Sequence, residues 1–277
     1  MKIFKIMVLL LFFISNLYSN QQKKLAYIVS DINIPFWQII SKGIKDKSNE
    51  LGYEIHIYSS NNLKKNELEN LASAISLKID GLIISPINSS TASTLLEIAK
   101  MNKIPTIVAD IGSDSQDYLS FISSDNKKGA YELGKILSKY MKSLSWNKEG
   151  TVGIIAIPQK RLNGKDRTIG FIQALEEDNI KVSGMYQQVD FSYEETYNYS
   201  KKLIDENKNL RAIWLQGSDK YKGALDAIKK ANKQNEIALI CFDAEPEFLE
   251  MIQNGDLVAS AMQQPYIIGQ EAVVTLN

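Results

Sequence analysis

The sequence predicts an α/β protein made of two doubly wound parallel-sheet lobes joined by a hinge. Three observations carry that expectation. Short apolar runs alternate with amphipathic helical segments along most of the chain, the pattern of repeated βαβ units. The apolar runs are continuous rather than alternating, which suits strands covered on both faces. Two such series of similar length flank the polar stretch 143–150.

The first series opens with a strand at Leu25 to Val29 and a helix from Pro35 to Leu51, whose Ile39, Ile40, Ile44 and Leu51 fall at roughly helical spacing. Pro suits a helix start because its missing donor is not needed there, and Gly52 supplies the stop. Strands follow at Ile55 to Tyr58, Gly81 to Ser85, Thr106 to Ala109 and Leu119 to Ser123. The helices between and after them run from Glu67 to Leu77, Thr91 to Met101 and Asn126 to Lys142. The second series places strands at Thr151 to Ile157, Val182 to Val189, Ala212 to Leu215, Ile237 to Phe242 and Val258 to Ala261. Its helices run from Asp166 to Glu177, Glu194 to Glu206, Tyr221 to Asn232, Glu247 to Asn254 and Ile267 to Leu276.

Composition narrows the function classes. Lys2 and Lys5 precede the unbroken apolar run Ile6 to Ile14, and Ser19 offers a small residue for cleavage. That run is too short to span a bilayer, which takes about 20 residues, so residues 1–19 read as an export signal. No Cys follows the run, so a lipid-anchored form is not expected, and the location expected is the periplasm. Lysine and arginine together number 32, as do the acids. Losing Lys2 and Lys5 with the signal leaves the mature chain near −2, without the basic field that draws nucleic acid. The single cysteine, Cys241, sits in an apolar run and the single histidine, His56, lies inside a strand pattern. Neither suggests a metal centre, and no cofactor is expected.

No glycine-rich phosphate loop follows the first strand, where the sequence reads Ser30-Asp31-Ile32-Asn33-Ile34-Pro35. No Gly-x-Ser-x-Gly elbow is present either. An enzyme would need a nucleophile and base within hydrogen-bond reach, and a DNA-binding regulator would need a reading helix pair ahead of the core. In open parallel sheets, ligands bind beyond the carboxyl ends of the strands. Polar residues gather there: Asp31, Ser59 to Asn62, Ser85, Asp110, Ser123 to Asn126, Asp190, Gln216 to Asp219, Asp243 and Gln263. Phe36 and Trp37 follow the first strand's loop, Arg167 opens a helix, and Phe191 follows a strand. Aromatic faces cover the C–H faces of a sugar, while carboxylates, amides and guanidinium groups bind its hydroxyls. Each residue alone also has a plainer reading: an aromatic at a helix start as core, a carboxylate as a helix cap. Their joint position at strand ends is what points to a polar ligand.

The chain resembles the ribose- and galactose-type periplasmic binding proteins, of type I with a core like that of the lactose repressor. The resemblance runs from about Leu25 to Thr275. It is carried by Asn33-Ile34-Pro35-Phe36-Trp37, Gly81-Leu82-Ile83-Ile84-Ser85-Pro86, Ile104 to Asp110, Ser123-Ser124-Asp125-Asn126, Arg167-Thr168-Ile169-Gly170-Phe171, Gly223-Ala224-Leu225 and Cys241-Phe242-Asp243. It implies a protein that closes around a sugar, performs no chemistry on it and presents it to an ABC importer, or alternatively to a chemoreceptor or histidine kinase. It implies ligand-binding roles for Phe36, Trp37, Asp110, Arg167, Phe191, Asp243 and Gln263, with a monomer expected. The implied lobes are residues 24–124 plus 265–277, and residues 125–264, with hinges near Ser124-Asp125 and Gln264-Pro265. Three departures disfavour ribose itself: Ile34, Ile111 and Gly217 stand where the resemblance implies polar residues. Each lost partner would leave a hydroxyl unpaired at about 1–3 kcal/mol. The resemblance also implies a further crossover and strand beyond Asn277, so the sequence is either a fragment or lacks that strand.

Overall fold

The structure, a computed structural model, describes residues 22–218 and 220–277. The export-signal pattern at 1–19 and Asp219 lie outside the described residues. Two five-stranded parallel sheets form the frame. The first contains β1 (Lys24–Val29), β2 (Glu54–Ser59), β3 (Gly81–Ser85), β4 (Thr106–Ala109) and β5 (Ser120–Ile122), in the order β2-β1-β3-β4-β5. The second contains β6 (Thr151–Ala156), β7 (Lys181–Gln187), β8 (Leu210–Leu215), β9 (Ala238–Phe242) and β10 (Ser260–Ala261), in the order β10-β9-β8-β6-β7. Counted within each lobe, the two orders are the same. Central strands β3, β4 and β9 are buried throughout, whereas edge strand β7 is mostly half-exposed. Continuous apolar runs therefore mark sheet centres, as burial on both faces requires.

The nine helices of the described residues cover the sheets. They are α1 (Pro35–Glu50), α2 (Lys64–Ser76), α3 (Ser89–Met101), α4 (Asn126–Ser143), α5 (Leu162–Glu176), α6 (Tyr193–Glu206), α7 (Tyr221–Lys230), α8 (Phe248–Asn254) and α9 (Pro265–Leu276). Strand alternation divides each core in two. In the first lobe Tyr27, Val29, Ile83, Ile107 and Ala109 face Trp37, Ile40, Ile44, Ile268 and Ala272. Ala26, Ile28, Leu82, Ile84 and Val108 face Leu71, Ala74, Leu95 and Leu96 on the opposite side. The second lobe repeats this, with Phe171 stacked on Trp214 at 3.8 Å on one face and Leu203, Leu215 and Leu239 packed on the other.

Most elements lie within a few residues of their predicted limits. One correction bears on the site. Helix α5 starts at Leu162, not Asp166, so Arg167 lies in its second turn and does not open it. The first turn buries Asn163 and Gly164 rather than an apolar stripe, so hydrophobic periodicity gave no sign of it. A 3₁₀ turn at Trp146–Lys148 also breaks the expected loop at 143–150.

The chain passes between the sheets twice. After β5 it enters α4, which packs on α5; after β10 it enters α9, which packs on α1 and against β4. Glycine makes both helix pairs close. A Cβ at Gly170 would sit 2.0 Å from the Lys127 carbonyl oxygen, and one at Gly43 would sit 2.1 Å from that of Tyr266. Gly269 faces the Ile40 carbonyl in the same way, at 2.2 Å. In an open helix Gly→Ala stabilises by about 1 kcal/mol. Here Gly170→Ala and Gly43→Ala are each expected to destabilise by about 1–3 kcal/mol, because backbone must move. Urea unfolding checks this; a higher midpoint in both variants would show that the helices have room to separate.

Candidate functional site

The parallel strands bring their carboxyl ends to one edge of each sheet, and the two edges meet. Asp110 follows β4 and Asp243 follows β9, so each aspartate ends the fourth strand of its lobe. Both are left-handed, with φ of 67° and 71°. Both backbone N–H groups donate at 2.9 Å to the last residue of the neighbouring fifth strand, Asp110 to the Ile122 carbonyl and Asp243 to that of Ala261. Asp tolerates this conformation better than most residues, and the hydrogen bond holds each carboxylate beyond the sheet.

Asp110 is 1% exposed. Its Oδ2 accepts from Asn163 Nδ2 of the second lobe at 2.9 Å, while its buried Oδ1 has no hydrogen-bond partner among the described residues. Burial pushes its pKa from the usual 3.8 up to about 6; the Arg167 and Arg161 guanidinium groups and the Asn163 amide oppose the shift, and the Asp243 charge adds to it. The two aspartates therefore act on one another across the cleft.

Arg167 organises the second lobe's side. It is 2% exposed, and its guanidinium lies 3.8 Å from the centre of the Phe242 ring. It donates from Nε to Asn126 Oδ1 at 2.8 Å and from Nη1 to the Gln216 carbonyl at 2.5 Å, and it pairs with Asp243 Oδ2 at 3.6 Å. Gln263 donates from Nε2 to Asp243 Oδ1 at 2.5 Å and leaves its own buried Oε1 unpartnered among the described residues. Asp243 is thus hydrogen-bonded to Gln263 and ion-paired with Arg167, and Asp110 is coupled to Arg167 and Asp243 through electrostatics.

The aromatic residues divide. Phe36 is half-buried at the start of α1, whereas Trp37 is 4% exposed and belongs to the first lobe's core. The rings meet edge to face at 5.0 Å, so Trp37 backs Phe36. Phe191 lies after β7 with φ of 52°, half-buried. Glu195 holds that loop by accepting from the backbone N–H groups of Val189, Asp190 and Phe191.

Residue-by-residue reading of the sequence missed Arg161 and Asn163. Arg161 is 6% exposed; its Nε donates to the Ile87 carbonyl of the first lobe at 3.0 Å, and its guanidinium lies 5.5 Å from the Phe191 ring centre. Burial lowers its pKa to about 10, Asp110 and Glu67 opposing and Arg167 adding to the effect, so it remains charged at neutral pH. Leu162 N–H donates to Ser89 Oγ at 2.9 Å, and Ser89 N–H to the Lys160 carbonyl at 3.1 Å. The segment follows a strand, which was the available signal, but placing the helix start at Asp166 left it as ordinary loop.

Two parallel-sheet lobes whose strand ends converge on buried carboxylates and guanidinium groups define a two-lobed α/β binding protein. The sequence family described as a periplasmic binding protein domain matches residues 25–277. The chain belongs to that family. It is 29% identical over 261 residues to the ribose import binding protein of Haemophilus influenzae, covering 94% of this chain and 86% of that one. It is 22% identical over 257 residues to the D-allose-binding periplasmic protein of Escherichia coli, covering 88% and 80%. Among solved structures, a carbohydrate transporter solute binding protein from Agrobacterium radiobacter in complex with D-arabinose is similar with a TM-score of 0.83 and 22% identity, covering 93% of this chain and 88% of that one.

The raised pKa of Asp110 has a stability consequence. An acid whose pKa is higher folded than unfolded contributes stability below its unfolded value and loses it as pH rises through the folded value. The window runs from 3.8 to about 6. Asp110→Asn should therefore stabilise the ligand-free protein at pH 7, by on the order of 2–3 kcal/mol. Thermal melts of both proteins from pH 4 to 8 check this: the difference should close towards pH 4, and a constant difference would show that Asp110 ionises without penalty.

Proposed function

We propose that this protein is a periplasmic solute-binding protein that closes its two lobes around a small sugar and delivers it to an ABC importer, without altering it. The observation that carries the proposal is Asp110 Oδ1. A fully buried carboxylate oxygen with no partner among the described residues is costly, and a ligand hydroxyl is the group that would satisfy it. Gln263 Oε1 is likewise buried without a partner among the described residues and offers a second acceptor, beside Asp243, to which Gln263 is bonded and with which Arg167 pairs. The work assigned to these groups is hydrogen bonding to hydroxyls, with Phe36 and Phe191 against the apolar faces of the ring.

The relatives support this reading through what their names say they bind: ribose for the Haemophilus influenzae protein and D-allose for that of Escherichia coli. The latter name also supports a periplasmic location, as does the export pattern at 1–19. The partner is then a membrane permease, and one chain supplies the whole site. The lobes are residues 24–124 with 265–277, and residues 125–264. The packing of α9 on α1 supports that division, and the hinges are Ser124-Asp125 and Gln264-Pro265. A bound sugar bridges both lobes and so favours the conformation in which they touch.

A micromolar sugar site corresponds to about 8 kcal/mol, within reach of several charge-assisted hydrogen bonds and a ring contact. A thermal-shift screen of pentoses, hexoses and deoxy sugars should give a rise in melting temperature with one class. Asp243→Ala and Asp110→Ala should each weaken that sugar at least tenfold by calorimetry; undiminished affinity in both would overturn the site. Because the sugar donates to ionised Asp110, affinity should also fall as pH drops through about 6. Binding that is flat from pH 8 to 5 would count against a direct bond to that carboxylate.

A further inference from the structure

Arg161 is held from one lobe and anchored on the other, but only part of its guanidinium is used. Nε donates to the Ile87 carbonyl at 3.0 Å. The Ile87 N–H is itself taken by buried Glu67 Oε1 at 2.6 Å, so the segment that receives Arg161 is fixed from both of its polar backbone atoms. Neither Nη atom has a hydrogen-bond acceptor among the described residues. Yet Arg161 is 6% exposed, with the Phe191 ring at 5.5 Å and the Asp110 charge acting on it. On the first lobe, the residue after Asp110 is Ile111, wholly buried in the core, so it supplies no donor beside that carboxylate.

We propose that Arg161 determines ligand selectivity, its Nη groups donating to a sugar hydroxyl that also donates to Asp110 Oδ1. A hydroxyl can do both at once, because it has one donor and two acceptor sites. The guanidinium plane, tied at Nε, presents its remaining donors in a fixed direction. The Phe191 ring, centred 5.5 Å from the Arg161 guanidinium, is the nearby apolar surface for a C–H face of the sugar ring. The ligand class is an uncharged polyhydroxylated ring. Asp110 acts on both guanidinium groups, Asp243 pairs with Arg167 and Glu67 acts on Arg161, so three carboxylates stand against two cations and an anionic substituent is disfavoured.

The inference rests on the sugar-binding reading, and the experiment separates the two. The tightest sugar from the screen and each of its monodeoxy analogues are titrated by calorimetry into wild type, Arg161→Met, Arg161→Lys and Ser89→Ala, with circular dichroism to verify folding. Ser89→Ala removes the hydroxyl that accepts from Leu162 N–H, a lobe-to-lobe bond that no sugar needs. It should weaken all sugars by one common factor. Arg161→Met should weaken the parent sugar tenfold or more and abolish the wild type's discrimination against one particular deoxy analogue. Arg161→Lys, with a point charge in place of the fork, should restore part of the affinity and little of the discrimination. If Arg161→Met instead weakens the parent and every analogue equally, Arg161 is a lobe-to-lobe tether and the inference fails while the sugar reading stands. Failure of every sugar to bind wild type would overturn both.

Discussion

A carboxylate is costly to bury, and Asp110 is buried with only one of its oxygens bonded to protein. The rest of the site follows from that constraint. Arg167 and Arg161 offset the charge, Asn163 reaches across to bond Oδ2, and the Ile122 carbonyl fixes the backbone in its left-handed turn. These groups do not fully compensate, which is why the carboxyl is displaced towards its neutral form. Such an imbalance is tolerated where a ligand completes the bonding; elsewhere in a core it would favour an apolar replacement.

The second lobe meets the same constraint with a different solution. Asp243 occupies the equivalent place at the end of its fourth strand, with the same backbone bond to the fifth. Its carboxylate is bonded by Gln263 and paired with Arg167, and so is better supported than Asp110. The lobes thus share geometry but not electrostatics. One aspartate belongs to a connected network with Arg167 and Gln263; the other keeps Oδ1 without a hydrogen-bond partner among the described residues. The helices repeat the correspondence. Each crossing helix packs closely on the first helix of the lobe it enters, with glycine where backbone would collide.

Much of this was readable in the residues, for physical reasons. Parallel strands buried on both faces produce continuous apolar runs, so strands such as Gly81–Ser85 and Thr106–Ala109 were placed to the residue. A carboxylate directly after such a run must lie at the sheet's binding edge, which made Asp110 and Asp243 visible. Trp37 and Phe36 could not be separated, because a helix start offers both a core-facing and a cleft-facing direction and the sequence does not show which ring takes which. Arg161 and Asn163 were obscured because α5 begins with polar residues buried for the sake of the cleft. Hydrophobic periodicity is blind to burial that serves binding.

The same segment at the start of α5 carries the contact between the lobes. Four hydrogen bonds join Lys160, Arg161, Leu162 and Asn163 to Ser89, Ile87, Ser89 and Asp110, each between protein groups alone. Each bond of this kind is worth about 0.5–1.5 kcal/mol, and somewhat more where a charge takes part. Their sum favours contact between the lobes, and ordering the two segments opposes it. A ligand that bridges the lobes needs to supply only the difference, so a modest number of contacts can shift the population strongly. The unfavourable burial of Asp110 sets the opposite limit. If Asp110 Oδ1 takes a ligand hydroxyl as proposed, contact without that ligand leaves it unsatisfied, so the same carboxylate discourages closing on nothing. On that proposal, selective closure depends on the lobe-to-lobe bonds, net of the ordering they require, not outweighing one unpaired oxygen, and on the ligand hydroxyl tipping the balance.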